Sequence, residues 1–132
     1  MSDFLDDLAR IGRKAVETGQ QRLSARERIL YCVDTLNYEL LCGEWEQYFD
    51  SEAGNLALDA VAALHTIGAT ETARLLSAAC ARFPDGGPSA NREVRQLQVK
   101  KLPKDCFSGL TFSEEEGTLM ELLETWWRTD LN

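Results

Sequence analysis

His65 is the only imidazole in this 132-residue chain, so a Ser or Cys nucleophile has a single conventional activator available to it. It falls mid-helix, one turn from Val61 and two from Leu58, and reads as a partly buried core histidine rather than half of a catalytic pair. Cys32, Cys42, Cys80 and Cys106 stand at wide, irregular spacings in or beside apolar stretches, which suits buried free thiols better than disulfides or a redox pair. Metal chemistry needs clustered ligands, and the chain has no C-x-x-C, no H-E-x-x-H and no calcium-loop pattern. Glu114, Glu115 and Glu116 are adjacent, but successive helical residues point about 100° apart and complement a helix dipole more simply. Gly86-Gly87 lacks the Lys and hydroxyl residue of a phosphate loop. The expectation is therefore no catalytic residue, no metal and no cofactor; the one enzymatic arrangement left open would place Glu39, Gln47 and Tyr48 in a common pocket.

Charge is the feature that rises above background. The chain carries 22 acidic against 14 basic residues, a net charge of -8. From Ile29 to Ala73 there are eight carboxylates (Asp34, Glu39, Glu44, Glu46, Asp50, Glu52, Asp59, Glu71) and no Lys or Arg, so this stretch accounts for the whole excess. One account is a hydrated face that keeps the protein soluble. The other is a fixed negative potential that attracts a basic partner and repels acidic ones. Direct binding of DNA or RNA would need a basic face, and the overall pI near 4.6 argues against one.

The elements that must carry these groups are helical. Phe4, Leu5, Leu8, Ile11, Ala15 and Val16 recur at helical steps over residues 3 to 22. Ser24 with Glu27 is a capping box that starts a second helix, in which Ile29, Cys32, Val33, Leu36 and Leu40 form one apolar stripe and Leu30 and Leu41 a second ridge. Gly43 interrupts it, and residues 44 to 49 read as a short helix or turn. From Asn55 to Ile67 nearly every residue is apolar or Ala, and around the helix Asp59 and Thr66 form a narrow polar stripe, a pattern that predicts cover on most sides. Gly68 as C-terminal glycine and Thr70 as N-cap predict an αα-hairpin over 55 to 83, its second arm burying Ala73, Leu76, Ala79, Cys80 and Phe83. Residues 84 to 88 must be loop; Ser89 is read as the cap of a helix over 90 to 100 that Pro103 ends. Ser113 and Glu116 form a second capping box, ahead of a last helix to about Arg128 with Leu119, Leu122, Leu123 and Trp126 inward and Trp127 on the flank. A short extended piece at 110 to 112 is left open.

Residues 39 to 54, Glu-Leu-Leu-Cys-Gly-Glu-Trp-Glu-Gln-Tyr-Phe-Asp-Ser-Glu-Ala-Gly, resemble a bacterial family of helical domains of unknown function that includes a DNA mimic protein. The family pattern runs Glu, any residue, Asn-Asn-Gly-Gly, aromatic, any residue, Gln-Tyr-Phe, any residue, Asn, then Gly; Glu39, Gly43, Trp45, Gln47, Tyr48, Phe49 and Gly54 match it in register. Ile67-Gly68-Ala69, Thr72-Ala73 and Leu75-Leu76 are also similar, extending the likeness over residues 28 to 128. Leu41, Cys42, Glu44 and Ser51 depart where the family favours Asn, Asn, Gly and Asn. The resemblance implies a helical fold, no known enzymatic activity and, for the characterised DNA mimic, binding to the DNA-contacting surface of a transcription regulator.

These readings converge on an all-α, single-domain bundle of about six helices around a central αα-hairpin, with residues 1 to 23 as a peripheral N-terminal helix. The functional expectation is a non-enzymatic, cytoplasmic protein-binding module, a monomer or homodimer that contacts neither membrane nor nucleic acid directly. Its acidic face, drawn from Asp34, Glu39, Glu44, Trp45, Glu46, Gln47, Asp50, Glu52 and Asp59, would occupy a basic partner such as a transcription regulator as a DNA-like decoy. The alternative is a toxin- or effector-neutralising or scaffold protein that uses apolar contacts such as Trp45 and Trp127.

Overall fold

The computed structural model describes residues 3–84, 86–112 and 118–129. Within them the chain forms α1 (Phe4–Thr18), α2 (Ala25–Cys42), α3 (Trp45–Asp50), α4 (Ala57–Thr66), α5 (Thr70–Cys80), α6 (Arg92–Lys101) and α7 (Thr118–Thr129), with 3-10 turns at Gln20–Arg22 and Glu52–Leu56. No strand occurs among the described residues, and 110–112 is irregular chain.

The first helix starts at Asp3, whose carboxylate accepts the Leu5 N–H, and buries Phe4, Ile11 and Ala15 with Leu8 half-buried behind them. Leu5 and Val16, expected on that face, are 68% and 86% exposed. Each is offset from the Phe4, Leu8, Ile11, Ala15 line by one residue, about 100° of rotation, and a single stripe suffices to dock α1. Asp7 turns inward instead and accepts the Trp127 indole N–H at 2.9 Å, tying α1 to α7 across the sequence.

Local chemistry sets the start of α2 as anticipated. Ser24 and Glu27 form the reciprocal capping box, and Lys14 Nζ reaches Glu27 Oε1 at 2.7 Å. The Lys14 ammonium and then the Ser24 backbone amide hold the Glu27 carboxyl below its ordinary pKa. Leu30, Cys32, Val33, Leu36 and Leu40 are buried, because α1, α3, α4 and α7 all pack on this helix. Leu41 is 67% exposed, so the second ridge ends at the last turn, where Leu40 alone is buried.

The αα-hairpin closes through a Schellman turn: Gly68 at φ 85 donates to the His65 carbonyl, and Ala69 donates to the Leu64 carbonyl. Thr70 is the first helical residue rather than the cap; Ala69 holds that place and offers no side-chain acceptor. All five expected core residues of the second arm are buried. The first arm is less covered than its composition suggested. Packing of α2 and α5 buries Ala57, Ala60, Ala63 and Leu64, but Leu58, Ala62, His65 and Thr66 face solvent. His65 is thus a surface residue, not a core one.

Asn91, not Ser89, caps α6, its side chain accepting the Val94 N–H, while Ser89 accepts from Asn91. In α7 the i, i+4 line Leu119, Leu123, Trp127 is buried and Leu122 and Trp126 are half-buried, reversing the expected roles of the two tryptophans. Phe49 sits among the rings of Tyr48, Phe83 and Phe107 at centroid distances of 5.1, 4.8 and 5.5 Å, close enough for favourable edge and offset contacts. Cys32 and Cys80 are buried free thiols as expected, whereas Cys42 is exposed at the end of α2 and Cys106 is half-buried. The capping box of Ser113 and Glu116, the Glu114 to Glu116 run and Asp85 lie outside the described residues.

Candidate functional site

The short helix α3 divides its residues cleanly. Trp45, Tyr48 and Phe49 are buried, and Glu46, Gln47 and Asp50 are exposed, with Glu44 exposed at the N-cap. Glu46 and Asp50, one turn apart, therefore share a face. Gln47 Nε2 donates to Glu39 Oε2 at 2.9 Å, which draws the end of α2 into the same neighbourhood. Gly43 makes this possible: a Cβ there would stand 2.1 Å from Gln47 Oε1.

Two arginines of α6, which the sequence did not single out, clamp the chain that follows α3. Arg95 is fully buried, and among the described residues it forms no ion pair. Its guanidinium donates to the carbonyls of Phe49 (2.5 Å), Ser51 (2.6 Å) and Ser89 (2.8 Å) and to Asn55 Oδ1 (3.0 Å). Burial lowers its pKa, and the four oxygens compensate the desolvated charge. Gly54 leaves room for it, since a Cβ would stand 2.7 Å from Arg95 Nε. Arg92 donates to the Asp50 carbonyl at 2.8 Å and pairs with Glu52 at 3.3 Å. The residues shared with the family pattern thus have structural tasks: Gly43, Gln47 and Glu39 join α2 to α3, and Phe49 and Gly54 build the arginine cage.

The acidic stretch is less bare than its composition implied. Among the described residues, cations from outside it pair with three of its eight carboxylates: Arg92 with Glu52, Arg28 with Asp59 at 3.9 Å, and Arg74 with Glu71 at 2.5 Å. Asp34 is half-buried, and burial pushes its pKa up to about 6. It lies five residues before Glu39, about 140° away around α2. Asp59 borders a different cavity, shared with Leu23, Arg28 and Cys32. Of the nine expected residues, Glu44, Glu46, Gln47 and Asp50 are exposed on or beside α3, Glu39 is half-buried and bonded to Gln47, Trp45 is buried, and Glu52 is paired with Arg92. Among the described residues no ion pair reaches Glu39, Glu44, Glu46 or Asp50.

Trp45, expected as a partner contact, is 4% exposed and donates its indole N–H to the Leu110 carbonyl at 2.6 Å. Trp127 is 5% exposed, so neither ring is presented for apolar recognition. Tyr48 is sealed in the core, its hydroxyl without a hydrogen-bond partner among the described residues, while Glu39 and Gln47 pair at the surface. These three do not share a pocket.

No curated protein and no solved structure gives a significant match to the chain. The family model described as DMP19-like protein matches residues 21–130, which covers every helix except α1. The chain belongs to the DMP19-like protein family.

Proposed function

We propose that this protein is a non-enzymatic, cytoplasmic binding module whose exposed carboxylates on and beside α3 occupy a basic surface of a partner protein, in the manner of a DNA mimic. Membership of the DMP19-like family supports the reading, as does the net charge of -8. The observation that carries it is that Glu39, Glu44, Glu46 and Asp50 stand without a cation among the described residues, while the chain around them is pinned by Arg92 and Arg95. Carboxylates on a fixed frame keep their potential without reorganising, so they accelerate encounter with a basic partner and discriminate against acidic ones. A nucleic-acid-binding protein such as a transcription regulator presents that kind of surface. No described helix is long and apolar enough to cross a membrane.

The test is capture of partners from cell extract by the full chain at low and high salt, beside a Glu44→Lys, Glu46→Lys variant. A basic DNA-binding protein retained at low salt, released at high salt and lost with charge reversal is the expected result. Capture insensitive to both salt and reversal would sink the proposal.

A further inference from the structure

Leu5 and Val16 are the most exposed large apolar residues among those described, at 68% and 86%. They lie on one face of α1 with exposed Ala9 and with Gly12, all four within about 60° of one another at about 100° per residue. Glycine is among the least favourable residues inside a helix, yet no packing among the described residues requires it here: a Cβ on Gly12 would meet nothing beyond its own helix within 4 Å. Such a gap in an apolar stripe admits the close approach of another backbone. We infer that the stripe is covered by the α1 of a second copy of this chain, running antiparallel about a two-fold axis that passes between Arg10 and Ile11. The contact uses none of Glu39, Glu44, Glu46 or Asp50, so it goes beyond the acidic-surface reading and does not rest on it.

In that register Leu5 of each copy meets Val16 of the other, and Ala9 meets Gly12, so the stripe is complementary to itself in size. Charge selects the same partner. Asp6 and Arg13 flank the stripe on one side, both exposed, and neither forms an ion pair among the described residues. An antiparallel pair brings like flanks together, so Asp6 of one copy reaches Arg13 of the other, and symmetry makes that bridge twice. In a parallel pair this flank would face the opposite one, where Phe4, Ile11 and Ala15 lie against the body of their own chain, and neither charge would find a partner. One helix pair covers less than the roughly 800 Å² per partner of a standard interface, so the dimer is weak and forms as concentration rises.

The experiment is sedimentation velocity of the full chain from about 10 µM to about 1 mM, the range in which so small an interface associates. The parent should pass from monomer to dimer. Val16→Lys and Gly12→Leu, neither of which disturbs packing within the chain, should each weaken association about tenfold or more. Gly12→Leu should at the same time raise the melting temperature, because leucine favours the helix, so its lost association cannot come from a damaged fold. Asp6→Arg and Arg13→Asp should each be monomeric alone, since each sets like charges together twice, while their equimolar mixture should dimerise as the parent does. A parent that stays monomeric throughout would overturn the proposal. So would a dimer indifferent to Val16→Lys and Gly12→Leu, which would lie on another face, or a charge-reversed mixture no better associated than its parts.

Discussion

A Cβ on Gly54 would stand 2.7 Å from Arg95 Nε and 2.9 Å from the Tyr48 carbonyl oxygen, so the missing side chain at 54 and the buried guanidinium at 95 are a single feature. Neither obstacle can yield. Arg95 is held by four oxygens, and the Tyr48 carbonyl accepts from the Ser51 hydroxyl within the turn it closes. Gly54→Ala should cost about 2 to 4 kcal/mol in urea unfolding, through overpacking against fixed groups. Arg95→Met should cost about 3 kcal/mol or more, because it strands the carbonyls it leaves behind. A loss under about 1 kcal/mol for both would show that the cage is not rigid.

Gly43 offers the contrasting case. The atom nearest its hypothetical Cβ is Oε1 of Gln47, the free end of an exposed side chain that can swing into solvent. Gly43→Ala should therefore cost less than about 1 kcal/mol while breaking the Gln47 to Glu39 bond. The Gln47 side-chain amide resonance would report this, moving to a solvated position as the melting temperature stays nearly constant.

These two glycines also mark where sequence reasoning reaches and where it stops. Short-range rules were largely legible: the Ser24 and Glu27 capping box, the Gly68 turn and the end of α6 before Pro103 formed as read, while the caps expected at Ser89 and Thr70 fell at Asn91 and Ala69. Which side of a helix meets a neighbour was not, because that depends on elements distant in sequence. Hence Leu5, Val16 and Leu41 stand in solvent, and Trp127 rather than Trp126 is buried. The same limit governed the acidic stretch. Its charge count was plain, but Glu52 and the Arg92 that pairs with it lie 40 positions apart, and no local pattern announces such a pair.

Asp34 should make stability fall as pH rises. Burial raises its folded-state pKa to about 6, against about 3.9 for the unfolded chain. Between these values the folded protein keeps a proton that the unfolded protein has lost, so stability declines from about pH 4 to about pH 6 and stays lower above that. Asp34→Asn should thus stabilise the protein at pH 7 by about 1 to 2 kcal/mol, once solvent screening at a half-buried site is discounted, and should do nothing near pH 4. A variant equally stabilising at both pH values would contradict this origin.

The four thiols should separate by rate. Burial pushes Cys32 up to about 12 and Cys80 up to about 11, and both side chains are enclosed. Cys42 is exposed and Cys106 half-buried. Because the thiolate is the reactive form, an aromatic disulfide reagent at pH 8 should label Cys42 rapidly and Cys106 slowly, reaching Cys32 and Cys80 only in denaturant. Cys42→Ser should abolish the fast phase alone. Four fast thiols in the native protein would mean that the core around α2 and α5 opens readily.

Arg92 gives the sharpest separation between a charged surface that binds and one that is merely hydrated. It neutralises Glu52 at 3.3 Å with both side chains partly in solvent, 41% and 63% exposed, so the pair itself contributes little to stability, about 0 to 1 kcal/mol. Arg92→Gln also removes the bond to the Asp50 carbonyl, a further cost of about 1 kcal/mol, while adding one unit of negative charge beside Asp50. If carboxylates attract the partner, this variant should bind a lysine homopolymer about two- to threefold more tightly at low salt, with the gain vanishing near 0.5 M salt as screening shortens the field. Glu46→Gln should weaken binding more than Glu52→Gln in the parent chain, and the two should become equal once Arg92 is gone, because only then does Glu52 stand unpaired. Weaker binding by Arg92→Gln in a protein that remains folded would show instead that Arg92 contacts the ligand or orders its site, and that negative charge is not what is recognised.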